Sequence, residues 1–152
     1  MNYKTKFFYA NRFVNEKYNK LPANDLKQIK ELTKKQSLIF WNRKIKSKIN
    51  YFPIKDIYFS NKSISSDCGW GNDKTENNTR EFLKLIYKKY NHIYFFWDHS
   101  HGIKTTWDIF VKYWSDFCYC SDFGNIIYIS SDLILIYHED ALLQANYKSQ
   151  NL

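Results

Sequence analysis

One stretch constrains this chain more than any other: His92-Ile-Tyr-Phe-Phe-Trp-Asp98. Five consecutive apolar residues, with no polar alternation, read as a strand buried on both faces and therefore central in its sheet. A central strand needs neighbouring strands on either side and packed layers above and below. The residues that follow help to supply them. His99-Ser-His-Gly102 makes a turn, and Thr105 or Thr106 stands where a helix cap belongs. Trp107, Phe110, Val111, Trp114 and Phe117 then recur at i, i+3, i+4, i+7 and i+10, the clearest helical stripe in the chain.

The remaining elements are read around that centre. The segment from Phe7 to Tyr18 predicts a strand leading into a turn. Pro22 and Asn24 open a helix whose apolar face is Leu26, Ile29 and Leu32. Thr33 and Gln36 fit a capping box, in which the Thr hydroxyl takes the third amide and the Gln side chain reaches back. A second helix follows over 34–48, with Leu38, Trp41, Ile45 and Ile49 inward and lysines outward. Residues 60–79 are dense in Ser, Asn, Asp and Gly and read as a loop anchored by Trp70. A helix then starts at Asn78, burying Phe82, Leu83, Leu85, Ile86 and Tyr90. Ser121 to Asn125 is a turn, Ile126–Ser130 and Leu133–His138 are strands joined either as a hairpin through Ser131-Asp132 or, since that dipeptide is not a favoured turn, by a longer connection, and Ala141–Lys148 is a short helix. The expected fold class is α+β: a single domain over residues 1–152, helices early, packed on a mostly antiparallel sheet.

Composition narrows what such a domain can do. Aromatics number 30 of 152 residues, which excludes a disordered tail. Four glycines leave no room for a phosphate-cradling glycine loop. The net charge is +8, yet residues 1–91 carry +12 and residues 92–152 carry −4. Lys, Ile, Asn and Tyr make up 64 of 152 residues, a usage that follows A/T-rich codons. Arginine, the preferred reader of phosphates and bases, occurs only at positions 12, 43 and 80. The basicity is thus weaker evidence for nucleic acid than it first looks. No signal-peptide pattern and no apolar run of membrane-spanning length is present, and Cys68, Cys118 and Cys120 are a poor disulfide set. A cytoplasmic protein with free thiols is expected.

Asp25 to Thr33 with Trp41-Asn42, then Gly69-Trp-Gly-Asn72, then Ile93 to Asp98 with Thr105-Thr-Trp-Asp-Ile-Phe110 and Trp114 resemble, in order and spacing, the bacterial domain-of-unknown-function family 2947. The resemblance covers most of residues 20–130 and rests on the placement of Trp and Thr-Thr-Trp. It implies a small bacterial domain and brings no functional residues with it.

Four constellations could carry chemistry. Asp98, His99 and His101 beside Cys118 and Cys120 offer zinc-type ligands; the plainer explanation, turn histidines and small buried cysteines, is preferred. His99 and His101 could be general acid and base of a metal-independent ribonuclease or toxin domain, with Lys104 on the phosphate and His92 or His138 as a distant partner. The basic first half, with Lys4, Lys6, Phe7, Phe8, Tyr9, Arg12 and Phe13, could bind single-stranded nucleic acid, although a solvated lysine face is commoner. The acidic, aromatic second half could dock a basic protein, and there Asp98, Asp108, Tyr113, Asp116, Tyr119 and Asp122 are the expected contacts. The favoured expectation is an immunity protein, not an enzyme, that neutralises a cognate toxin domain such as a nuclease. It needs no cofactor and engages no membrane, and nucleic acid is not its favoured partner.

Overall fold

The computed structural model describes residues 9–14, 20–46, 73–86, 92–119, 122, 124–131, 133–138 and 141–144. They form an α+β structure around a six-stranded antiparallel sheet. In chain order the elements are α1 (Asn11–Val14), α2 (Ala23–Leu26), β1 (Lys30–Glu31), α3 (Lys34–Phe40), a π-helical turn (Trp41–Ile45) and α4 (Asp73–Ile86). There follow β2 (His92–Asp98), β3 (His101–Thr106), α5 (Trp107–Lys112), α6 (Trp114–Phe117), β4 (Asn125–Ser130), β5 (Leu133–His138) and β6 (Ala141–Gln144). The sheet order is β1-β3-β2-β4-β5-β6, so β2 is interior, as its unbroken apolarity demands.

Alternation along the strands makes two cores. Ile93, Phe95 and Trp97 of β2, with Ile127, Ile129, Leu133, Leu135 and Tyr137, face the larger one. That face is closed by Phe13 of α1, Leu83 of α4 and the stripe Trp107, Phe110, Val111, Trp114 and Phe117. The stripe is buried throughout, although the backbone breaks at Tyr113 between α5 and α6. On the other face, Phe96, Ile126, Ile134 and Ile136 meet Trp41 and Ile45 of the π-helical turn. A sheet covered on both faces explains why β4 and β5 are almost wholly apolar.

Local signals held where the deciding contacts are local. Thr33 caps α3 and the capping box with Gln36 is complete. Thr106 caps α5, its hydroxyl accepting from the Ile109 amide. Of the two connections open to β4 and β5, the hairpin forms.

Elsewhere the structure corrects the sequence reading. Residues 11–14 are helical, not a strand. The helix opened near Pro22 stops at Leu26, and Lys30–Glu31 pair with Lys104 and Ile103 instead. Residues 101–106 form β3, because Ile103 and Thr105 face inward while Lys104 faces the other way, a period of two. Gly102 is required there, since a Cβ would collide with the Phe96 ring. Helix α4 begins at Asp73, within the expected loop; its early acids, Asp73 and Glu76, suit a helix N-terminus. Leu85 is 72% exposed, so the buried stripe of α4 is narrower than expected. Residues 141–144 are an edge strand on β5 rather than a helix. Trp70, Ile49, Tyr90, Cys68 and Cys120 lie outside the described residues.

Candidate functional site

The β2–β3 hairpin turns on one carboxylate. Asp98 Oδ1 accepts from the backbone amides of Ser100 (2.7 Å) and His101 (2.9 Å) and from the Ser100 hydroxyl (2.9 Å). Its Oδ2 meets His101 Nδ1 at 2.7 Å. Burial pushes the Asp98 carboxyl up, but the hydrogen bonds from Ser100 and His101 outweigh it and hold the group below its ordinary value. The carboxylate is thus ionised at neutral pH and fixes the turn and the imidazole together.

Beside this hairpin lies a cleft of about 160 Å³ lined by Tyr9, Glu31, Leu32, Lys34, Trp97, Ser100, His101 and Gly102. Tyr9 stacks on Trp97 with centroids 4.4 Å apart and meets the His101 ring edge-on at 5.9 Å. Burial and the nearby Asp98 raise the Tyr9 hydroxyl above its usual value, so it stays protonated.

Arg12 organises the neighbouring corner. It makes a bidentate pair with Asp122 at 2.6 and 2.9 Å and also donates to the Phe117 carbonyl at 3.1 Å. Its guanidinium lies 3.9 Å from the Tyr119 ring centroid, 4.8 Å from Tyr9 and 5.8 Å from Trp97. A planar, weakly hydrated cation suits this combination of fork and stack, and lysine would not. Asp122 also accepts from the Tyr119 amide, and Trp97 Nε1 donates to the Phe117 carbonyl. Arg12 is a residue that sequence reasoning missed as an organiser. Its signal was being one of three arginines set among aromatics.

Of the six expected contact residues, the structure therefore brings Tyr119 and Asp122 together on Arg12, beside Tyr9 and Trp97, and Asp98 reaches the same corner through His101 and Tyr9. The other three lie along α5 and α6 with other neighbours. Asp108 is exposed on α5. Tyr113 donates its hydroxyl to Asp25, which also holds Lys112 at 2.7 Å. Those two hydrogen bonds, from Lys112 and then Tyr113, lower the Asp25 carboxyl. Asp116 is buried, and burial with Glu76 alongside pushes its carboxyl up to about 7 against the opposing pull of Arg80.

The expected histidine pair is not assembled. His101 points to Tyr9 on the face of the larger core, whereas His99 lies edge-on to Trp41, 6.5 Å away, on the opposite face. Lys104 reaches over Tyr94, on the Trp41 face. His92 starts β2 at the far end from the hairpin, and His138 ends β5 two strands away. His99, His101 and Lys104, the acid, base and phosphate-binding cation that the sequence offers, are therefore not gathered at one place. Among the described residues no three of His, Cys, Asp and Glu cluster as metal ligands; Cys118 is buried. No helix among the described residues is long and apolar enough to cross a membrane.

A family model described as Protein of unknown function (DUF2947) matches residues 2–146, the family that the Trp and Thr-Thr-Trp placement resembles. The match extends through the C-terminal strands, beyond the stretch that carries the resemblance. Neither the curated proteins nor the solved structures yield a match.

Proposed function

Because the chain belongs to the DUF2947 family, whose description assigns no activity, we propose its function from the site: it is a cytoplasmic immunity protein that binds and neutralises a cognate bacterial toxin domain. The observation that carries this reading is the corner where Tyr119 and Asp122 meet Arg12, Tyr9 and Trp97, with the Asp98–His101 pair on the Tyr9 side, beside an open cleft. Tyr, Trp and Arg are the residue types on which binding energy concentrates. Here they are locked by stacking and a bidentate ion pair before any partner arrives, so little ordering is left to be done on binding. Glu31 and Lys34, exposed at the rim with opposite charges, would select the toxin's orientation.

The test is co-expression with each candidate toxin domain found encoded beside the gene for this chain. The chain restores growth and co-elutes with the toxin as a stoichiometric complex. The variant carrying Glu31→Arg and Lys34→Glu, both at exposed positions, folds normally but loses affinity by roughly tenfold or more. Failure of the unaltered chain to restore growth would overturn the reading. So would growth arrest by the chain alone, the mark of an active toxin.

A further inference from the structure

The helical segment formed by α3 and the π-helical turn has two unlike sides. Ser37, Trp41 and Ile45, at i, i+4 and i+8, are buried against the sheet. Lys35, Ile39, Asn42, Arg43 and Lys46, at i, i+4, i+7, i+8 and i+11, are all exposed. The segment from Lys34 to Lys46 contains five cations and no acidic residue. Among the described residues, no ion pair joins any of these cations to a carboxylate. Surface helices ordinarily intersperse acids at i+3 and i+4, as α4 does with Glu76–Arg80 and Glu81–Lys84. Along Lys34 to Lys46 the cations repel one another, and no carboxylate among the described residues is ion-paired with them.

Ile39 stands in the middle of this stripe, 43% exposed, and among the described residues Leu85 on α4 is the other large apolar side chain left open. An apolar centre ringed by charge is how protein interfaces are built, with a dry core and a polar rim. A phosphate backbone would gain from the cations but would leave Ile39 facing polar groups. The sheet continues the same polarity, because Lys30 and Lys104 sit directly opposite each other across β1 and β3. Like charges in that register are destabilising unless an anion lies near.

We propose that the exposed stripe of Lys35, Ile39, Asn42, Arg43 and Lys46 is a docking surface for an acidic segment of a partner protein, with Ile39 as its apolar anchor. The inference stands apart from the toxin reading, since it uses neither the Arg12 corner nor the cleft. It also gives the partner a negative charge, opposite to the basic partner that the acidic residues of the second half suggest.

The experiment uses the full chain and a fluorescent amphipathic Glu/Leu peptide, read by anisotropy at low salt, with a single-stranded oligodeoxynucleotide run in parallel. The peptide binds, Lys35→Glu with Arg43→Glu abolishes binding, and Ile39→Ser weakens it by roughly fivefold or more. Circular dichroism and an unchanged melting curve establish that the variants are folded. Absence of peptide binding overturns the proposal. Binding indifferent to Ile39→Ser overturns it too, because the stripe would then be only an electrostatic surface. Tighter binding of the oligonucleotide than of the peptide, equally indifferent to Ile39, would assign the stripe to nucleic acid instead. None of these outcomes depends on whether the chain neutralises a toxin.

Discussion

The acidic residues of the second half and the basic residues around α3 are put to opposite uses. Asp122 is spent on Arg12, Asp98 on its own hairpin, and Asp116 is buried beside Glu76 and Arg80. Lys35, Arg43 and Lys46, in contrast, face solvent. Counting charge by segment says how much of each sign a region carries. It does not say which charges remain available once the chain has folded. Among the described residues, three of the four acids of the second half are engaged within the fold, and the basic helical segment presents its charge outward. Substitutions at Arg12, at Asp116 and on the α3 stripe would break or sharpen that contrast.

The largest effect is expected at Arg12. Its guanidinium is held by Asp122, the Phe117 carbonyl and three aromatic rings, and the pair is 11% exposed on either side. Arg12→Ala leaves the Asp122 carboxylate largely buried and unpaired, which costs on the order of 3 kcal/mol. Arg12→Lys keeps the charge but loses the fork and the stack, and recovers only part of the loss. Urea denaturation measures both. A loss below about 1 kcal/mol for Arg12→Ala, the level of an ordinary surface pair, would place this ion pair with the exposed charges and remove the contrast.

A second, smaller effect concerns pH. In the folded chain Asp116 keeps its proton until about 7, whereas its ordinary value is 3.8. The folded state therefore binds more protons than the unfolded one between those values, and stability falls as pH rises through that window. Asp98 and Asp25, held below their ordinary values, behave in the opposite way: their stabilisation is complete above the ordinary carboxylate range and is lost as pH falls below it. Raising the pH from 5 to 8 should lower stability through Asp116 by on the order of 2 kcal/mol. Asp116→Asn should remove most of that dependence. Urea midpoints at the two pH values decide the matter; equal slopes for the two proteins would mean that Asp116 is hydrated and ionised like an ordinary surface acid.

What could be read in advance follows the range of the contacts involved. The stripe from Trp107 to Phe117, the capping box at Thr33 and the β4–β5 hairpin are decided within about a dozen residues, and they were legible. Strand β1 was not, because Leu26, Ile29 and Leu32 satisfy a helical period while the pairing of Lys30–Glu31 with Ile103–Lys104 comes from far along the chain. Strand β6 was misread for a related reason: Ala-Leu-Leu is too short for its period to separate helix from strand, and β5 supplies the edge that decides. The candidate site divides in the same way. Asp98, Tyr119 and Asp122 could be chosen by residue type, but Arg12, which holds Tyr119 and Asp122 together, lies 110 residues from Asp122 in sequence. The two histidines, adjacent but for Ser100, diverge because the chain reverses between them and sends their rings to opposite faces of the sheet.

The smallest expected effect is the other half of the contrast. If the cations of the α3 stripe do no structural work, Lys35→Glu and Arg43→Glu should each change folding stability by less than about 0.5 kcal/mol. Their sign should be toward stabilisation, because each reversal relieves repulsion within a run of cations. Adding salt makes a discriminating control. Salt screens exposed like charges, so the unaltered chain should gain slightly in stability as ionic strength rises, and the double reversal should gain less. Arg12 and Asp122, largely removed from solvent, should respond weakly to the same salt series. A marked loss of stability on reversing Lys35 or Arg43 would mean that these cations are paired in the folded chain, and the division between inward acids and outward bases would fail at its outward side.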